Sequence, residues 1–144
     1  MPLDLTASAA DITRAICDIP SESGSEAHLA DLIEEAMRDR EHLEVIREGN
    51  TIVARTNLGR AQRVAIAGHI DTVPINGNVP TRDVEIDGVP MIWGRGTVDM
   101  KAGVAVQLKL AAELVDPAVD ITWMWYDNEE VEAARNGLKL LAEK

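Results

Sequence analysis

The chain has 144 residues, enough for one hydrophobic core and short for two, so one domain is expected. Hydrophobic residues make up 46% and charged residues 27%, which argues against a disordered or membrane-embedded class. A net charge of -11 without clustered Lys or Arg argues against a nucleic-acid partner, and no apolar run of about 18 residues offers a membrane span.

A single cysteine, Cys17, leaves no internal disulfide, and it falls in an apolar helical pattern with Ile12, Ile16 and Ile19, where it reads as a small hydrophobe. The N-terminal residues carry no charged and apolar leader pattern, so a cytoplasmic location is the expectation.

Apolar residues recur at helical spacing from Ala9 to Ile19, and Pro20 ends the run. Ser23 and Glu26 then form the pattern of a capping box for a second helix, whose Leu29, Leu32, Ile33, Ala36 and Met37 lie on one stripe. Three short β-like runs follow: Leu43 to Glu48, Thr51 to Thr56 across a Gly49-Asn50 turn, and Arg63 to Ala67. The third is apolar on successive residues, the pattern of a central strand covered on both faces. Asp83 to Trp93 reads as a hairpin around Asp87-Gly88, with Pro90 placing the second arm at an edge.

Met100 to Val115 is apolar nearly all round and reads as a buried helix; Lys101, Lys109 and Glu113 are the main exceptions. Asp120 to Tyr126 reads as a strand, and Glu130 to Ala142 as a final amphipathic helix with a possible interruption at Asn136-Gly137. Strands alternating with helices imply an α/β fold with a parallel sheet unit. A sheet whose chain ends on a crossover helix lacks the strand that helix should lead to, so the expectation is a fragment of a longer protein.

Ligands of open α/β sheets gather at the carboxyl ends of strands, and three polar clusters fall there. His69 and Asp71 follow the strand 63–67; Asp127, Glu129 and Glu130 follow the strand 120–126; Asp99 opens the helix between them. His28 and His42 sit in polar contexts and read as solvated surface residues. In His69-x-Asp71 the carboxylate can accept the second imidazole N–H, as in the outer shell of a metal-bound histidine. Asp99 is equally placed to cap the following helix, although Gly94, Gly96 and Thr97 allow close backbone approach just before it. Glu129 and Glu130 fit a solvated first helical turn, and equally a carboxylate pair whose repulsion a cation relieves. Together these residues make a nitrogen and oxygen ligand set suited to zinc, with one carboxylate left over for proton transfer.

The segments GHIDTVP, WGRGTVDMKAG and WYDNEEVE, with the Asp11 to Pro20 helix and the SESGSE that follows it, resemble the M20 family of zinc peptidases and amidohydrolases over essentially the whole chain. They are most similar to its actinobacterial succinyl-diaminopimelate desuccinylase branch; Tyr126-Asp127-Asn128 before the paired glutamates fits that branch better than the Ala or Thr-Ala-Asp of many relatives. The resemblance implies a three-layer α/β domain, with helices on both faces of a mostly parallel sheet, of which residues 1–144 form the N-terminal portion. It implies His69 on one zinc, Asp99 bridging two, Glu130 on the second, Asp71 orienting His69 and Glu129 as general base, with a cis peptide at Asp99-Met100. Thirty residues separate His69 from Asp99 and again Asp99 from Glu129, room each time for one return to the same sheet edge.

The implied reaction splits N-succinyl-LL-2,6-diaminopimelate into succinate and the diamine, in lysine biosynthesis; cobalt could replace zinc. Another M20 hydrolase, an acetylornithine deacetylase or a dipeptidase, is the second reading, and a non-catalytic binding module the third. The implied partners are the small succinylated diamino acid and, through a lid domain not found in these residues, a second copy of the parent protein; neither nucleic acid nor membrane is expected. With two protein ligands per zinc against the usual three, residues 1–144 alone are expected to bind metal weakly and to have little activity.

Overall fold

A computed structural model describes all residues, 1–144. The elements in chain order are α1 (Ala9–Cys17), α2 (Ala27–Arg38), β1 (Glu44–Glu48), β2 (Thr51–Arg55), β3 (Arg63–His69), β4 (Arg82–Ile86), β5 (Val89–Trp93), α3 (Lys101–Glu113), β6 (Asp120–Tyr126) and α4 (Gly137–Ala142), with a 3-10 turn at Ala133–Arg135. The fold is α/β, with the main sheet ordered β1-β2-β6-β3 and a separate β4-β5 hairpin.

The mostly parallel sheet expected from the sequence is corrected here, because two of the three ladders are antiparallel. Two residues, Gly49 and Asn50, join β1 to β2, and so short a connection forces antiparallel pairing. Only the β3–α3–β6 crossover is long enough to return a strand in parallel. The same order leaves β3 with one neighbour, so it is an edge strand with exposed Arg63, Val64 and Ala65, not the doubly covered central strand its composition suggested.

Ile121, Trp123 and Trp125 alternate along β6 toward the core, where Ile52 and Ala54 of β2 meet them. Ile33 and Met37 of α2, Ile12 and Ile16 of α1, and Val104 and Leu108 of α3 close this core. The two tryptophans stack with ring planes 2° apart. Trp125 keeps its indole N–H satisfied by donating to Gln107 Oε1, 3.1 Å away.

The α3 helix is buried on one side only: Val106 and Leu110 are exposed, whereas Lys101 is buried and its ammonium donates to the carbonyls of Ile16 and Ile19. Burial lowers the Lys101 pKa to about 8. Cys17 is buried as expected, and burial raises its thiol to about 11. His42 is not free on the surface, since its Nε2 lies 2.8 Å from the carbonyl oxygen of Ala111. The expected helix from Glu130 is shorter: α4 starts at Gly137, where the Asn136 side chain accepts from the N–H groups of Leu138 and Lys139 and caps it.

Candidate metal centre

Parallel pairing sets His69 directly beside Tyr126, so β3 and β6 end together and release their next residues at one edge of the sheet. The backbone stays paired just past that edge, with Ile70 N–H donating to Tyr126 O and Thr72 N–H to Ser21 O. His69 and Asp71 are thereby fixed on one side, Glu129 and Glu130 on the other.

Asp99 arrives from the loop between β5 and α3. Gly96 takes φ +82° there, and a Cβ at this position would lie 2.9 Å from Thr72 Cγ2, so the close approach needs glycine. The Asp99-Met100 peptide is cis, and the α3 N-terminus has no side-chain cap. Asp99 therefore does not cap the helix, and its side chain, 71% exposed, reaches His69 Nε2 at 2.9 Å.

One ligand atom each from His69, Glu129 and Glu130 lies within 4.8 Å of the others, a spacing that could hold a metal ion. Glu129 Oε2 stands 3.9 Å from His69 Nε2. Asp99 and Glu130 also line a cavity of about 380 Å³ with Val73 and the loop 94–98. Five of the six polar residues singled out at the strand ends thus converge at one place; Asp127 instead accepts the Thr51 hydroxyl, 3.2 Å away.

Asp71 is fully buried (0% exposed) and is the hub of this arrangement. Its carboxylate accepts the N–H of Glu129 and of Glu130, each at 3.0 Å, and the Ser23 hydroxyl at 2.6 Å. The nearer partner of His69 Nδ1 is the Asp71 backbone carbonyl at 3.0 Å; the carboxylate lies at 3.4 Å. Burial opposes ionisation of Asp71, but hydrogen bonds from His69, Ser23, Glu130 and Glu129 outweigh it and hold the group well below the usual carboxylate range. Burial also disfavours a charged His69, yet hydrogen bonds to Asp71 and Asp99 lift its pKa to about 9. Glu130 moves up, through burial and then the charges of Asp99 and Glu129. The smaller of these causes, repulsion from the neighbouring acids, is one that a cation would relieve.

Three contributors were not identified from the sequence. Ser23 and Glu26 matched a capping box, yet α2 has no side-chain cap and both residues turn to the site instead. Asn128 takes a left-handed φ of 56°, a conformation asparagine tolerates well. The spacing of Ser23 and Glu26 is the same in either role, so the sequence held no signal to separate them.

The model of the family described as Peptidase family M20/M25/M40 matches residues 65–144. The succinyl-diaminopimelate desuccinylase of Corynebacterium glutamicum is 48% identical over 141 residues, covering 94% of this chain and 37% of its own length. A provisionally named succinyl-diaminopimelate desuccinylase of Mycobacterium tuberculosis is 49% identical over 137 residues, covering 94% of this chain and 38% of its own. The chain therefore spans less than two-fifths of the length of these relatives. Among solved structures, human carnosine dipeptidase 1 superposes with a TM-score of 0.73 at 18% identity, covering 94% of this chain and 34% of that one. The dinuclear metal-binding M20 peptidase YxeP of Bacillus subtilis gives 0.60 at 15%, with 93% and 38% covered. At these identities the two structures share the fold.

Proposed function

We propose a function from one premise: the chain belongs to the peptidase family M20/M25/M40, a metal-dependent family of hydrolases. The parent protein is read as a zinc-dependent amidohydrolase that converts N-succinyl-LL-2,6-diaminopimelate and water to succinate and LL-2,6-diaminopimelate. Residues 1–144 form the N-terminal part of its catalytic domain. The carrying observation is that His69, Glu129 and Glu130 each place a ligand atom within 4.8 Å of the others, with Asp99 2.9 Å from His69 Nε2. The substrate rests on the identity of 48% and 49% to the two desuccinylases.

The donor set fits zinc: one imidazole nitrogen and several carboxylates. His69 would hold one ion, Glu130 the other, and Asp99 both. Zinc held there supplies Lewis acidity toward the amide carbonyl and acidifies water. Glu129, poised at the same edge, takes the proton of the attacking water and passes it to the departing amine, so the amide C–N bond breaks as a C–O bond forms. Asp71 keeps the His69 ring and the backbone of both glutamates in place.

Two protein ligands per ion fall short of the usual three, so the complete site takes further ligands from outside residues 1–144. We place the parent in the cytoplasm as a homodimer joined through a lid domain, with helices on both faces of the completed sheet. No helix described here is long and apolar enough to cross a membrane. The test is to purify the parent with zinc or cobalt and assay N-succinyl-LL-2,6-diaminopimelate against N-acetylornithine and dipeptides. Metal-dependent preference for the succinylated substrate is expected; preference for another moves the chain to a different branch of the family.

A further inference from the structure

Glu26 is completely buried (0% exposed) at the start of α2, yet it makes no cap there. Its Oε1 accepts the N–H of Asn128 at 3.2 Å, from a residue 102 positions along the chain. Asp71 accepts the next two, so three successive backbone N–H groups, 128 to 130, end on two buried carboxylates. The second oxygen of Glu26 is buried with no hydrogen-bond partner. A buried carboxylate with an idle oxygen is costly, and packing alone would be better served by an apolar side chain. What Glu26 supplies is the acceptor that closes the left-handed turn at Asn128.

We infer that Glu26 is a positioning residue for the paired glutamates: by holding the Asn128 backbone in that turn, it aims Glu129 and Glu130 at His69 and Asp99. This rests on reading those four residues as the hydrolytic metal site, and it adds the element that sets their geometry. Displacing such groups by even about 1 Å can cost on the order of a hundredfold in rate.

Glu26→Ala and Glu26→Gln in the parent protein test this, with Glu26→Asp, one methylene shorter, replacing Ala should Ala fail to fold. The readouts are amide exchange at Asn128, affinity for cobalt alone, and kcat and KM separately. Loss of the acceptor should speed Asn128 exchange by about tenfold. It should also weaken cobalt binding and lower kcat by roughly 10–100-fold, with KM nearly unchanged. Gln keeps an oxygen acceptor and should restore all three. Unchanged exchange, cobalt affinity and kcat in Ala or Asp, with only a lowered melting temperature, would overturn the inference. So would Gln as impaired as Ala. If the parent itself hydrolyses no N-acyl substrate, the functional reading falls, and Asn128 exchange with cobalt affinity still decides the role of Glu26.

Discussion

Asp71 Oδ2 accepts the backbone N–H of Glu130 at 3.0 Å, so a residue just past the end of β3 fixes one on the loop that leaves the neighbouring β6. Replacing Asp71 with Asn should turn one of its two accepting oxygens into a donor facing an N–H. A buried N–H left unpaired costs about 1–3 kcal/mol, and loss of a supporting hydrogen bond behind a metal ligand lowers affinity by roughly 10–100-fold. Urea unfolding and metal competition on Asp71→Asn check both effects. Wild-type affinity would remove Asp71 from the ligand support.

Glu129 and Glu130 are adjacent in sequence, but their proposed tasks are separable. Glu129→Gln in the parent should lower kcat by at least about 100-fold with metal content intact, because only the proton acceptor is removed. Glu130→Gln should instead weaken binding of one of two ions. Measuring zinc content beside turnover for each variant separates the roles, and the opposite pattern would exchange them.

Asp120 anchors the turn ahead of β3: it accepts the Thr56 hydroxyl at 2.6 Å and the N–H groups of Leu58 and Arg60, each at 2.8 Å. Those hydrogen bonds lower its pKa to about 2, below the usual carboxylate range. The folded value is the lower one, so its stabilisation is present above the unfolded pKa and fades as pH falls from about 4 toward 2. Urea melts across that window should show a shallower pH slope for Asp120→Asn than for wild type. Equal slopes would mean the acid sensitivity arises elsewhere.

Trp123, 1% exposed, stacks on Trp125 at a centroid distance of 6.4 Å in the middle of the core. Trp123→Ala should destabilise the fold by about 3–5 kcal/mol, the usual cost of emptying so large a buried site. Chemical denaturation reads the change. A loss under about 1 kcal/mol would show that the core collapses to fill the space.

The site was largely legible because its residues sit in short segments whose local structure determines where they point. His69 ends a strand that Asp71 follows, Glu129-Glu130 follow another, and one intervening helix forces the two strands to be parallel neighbours. Asp99 was ambiguous, since capping and ligation both call for a carboxylate before a helix; the uncapped α3 rules out the cap, and Asp99 instead lies 2.9 Å from His69 Nε2. The position of β3 was misread for the same local reason. Its apolar run suits a central strand, but sheet order is set by which distant strand pairs with it, and that partner is β6 alone.

Chemical identity was therefore written in the sequence: the acid and imidazole groups, their spacing, and the segments shared with the family all lie in local stretches of chain. Only the tertiary structure decided what Ser23 and Glu26 do. Their pattern is that of a helix cap, and nothing nearby contradicts it, but their partners, Asp71 and Asn128, lie 48 and 102 residues away. A hydrogen bond across such a separation exists only once β3, β6 and α2 have packed together, because it depends on distance in space and leaves no periodicity in the chain.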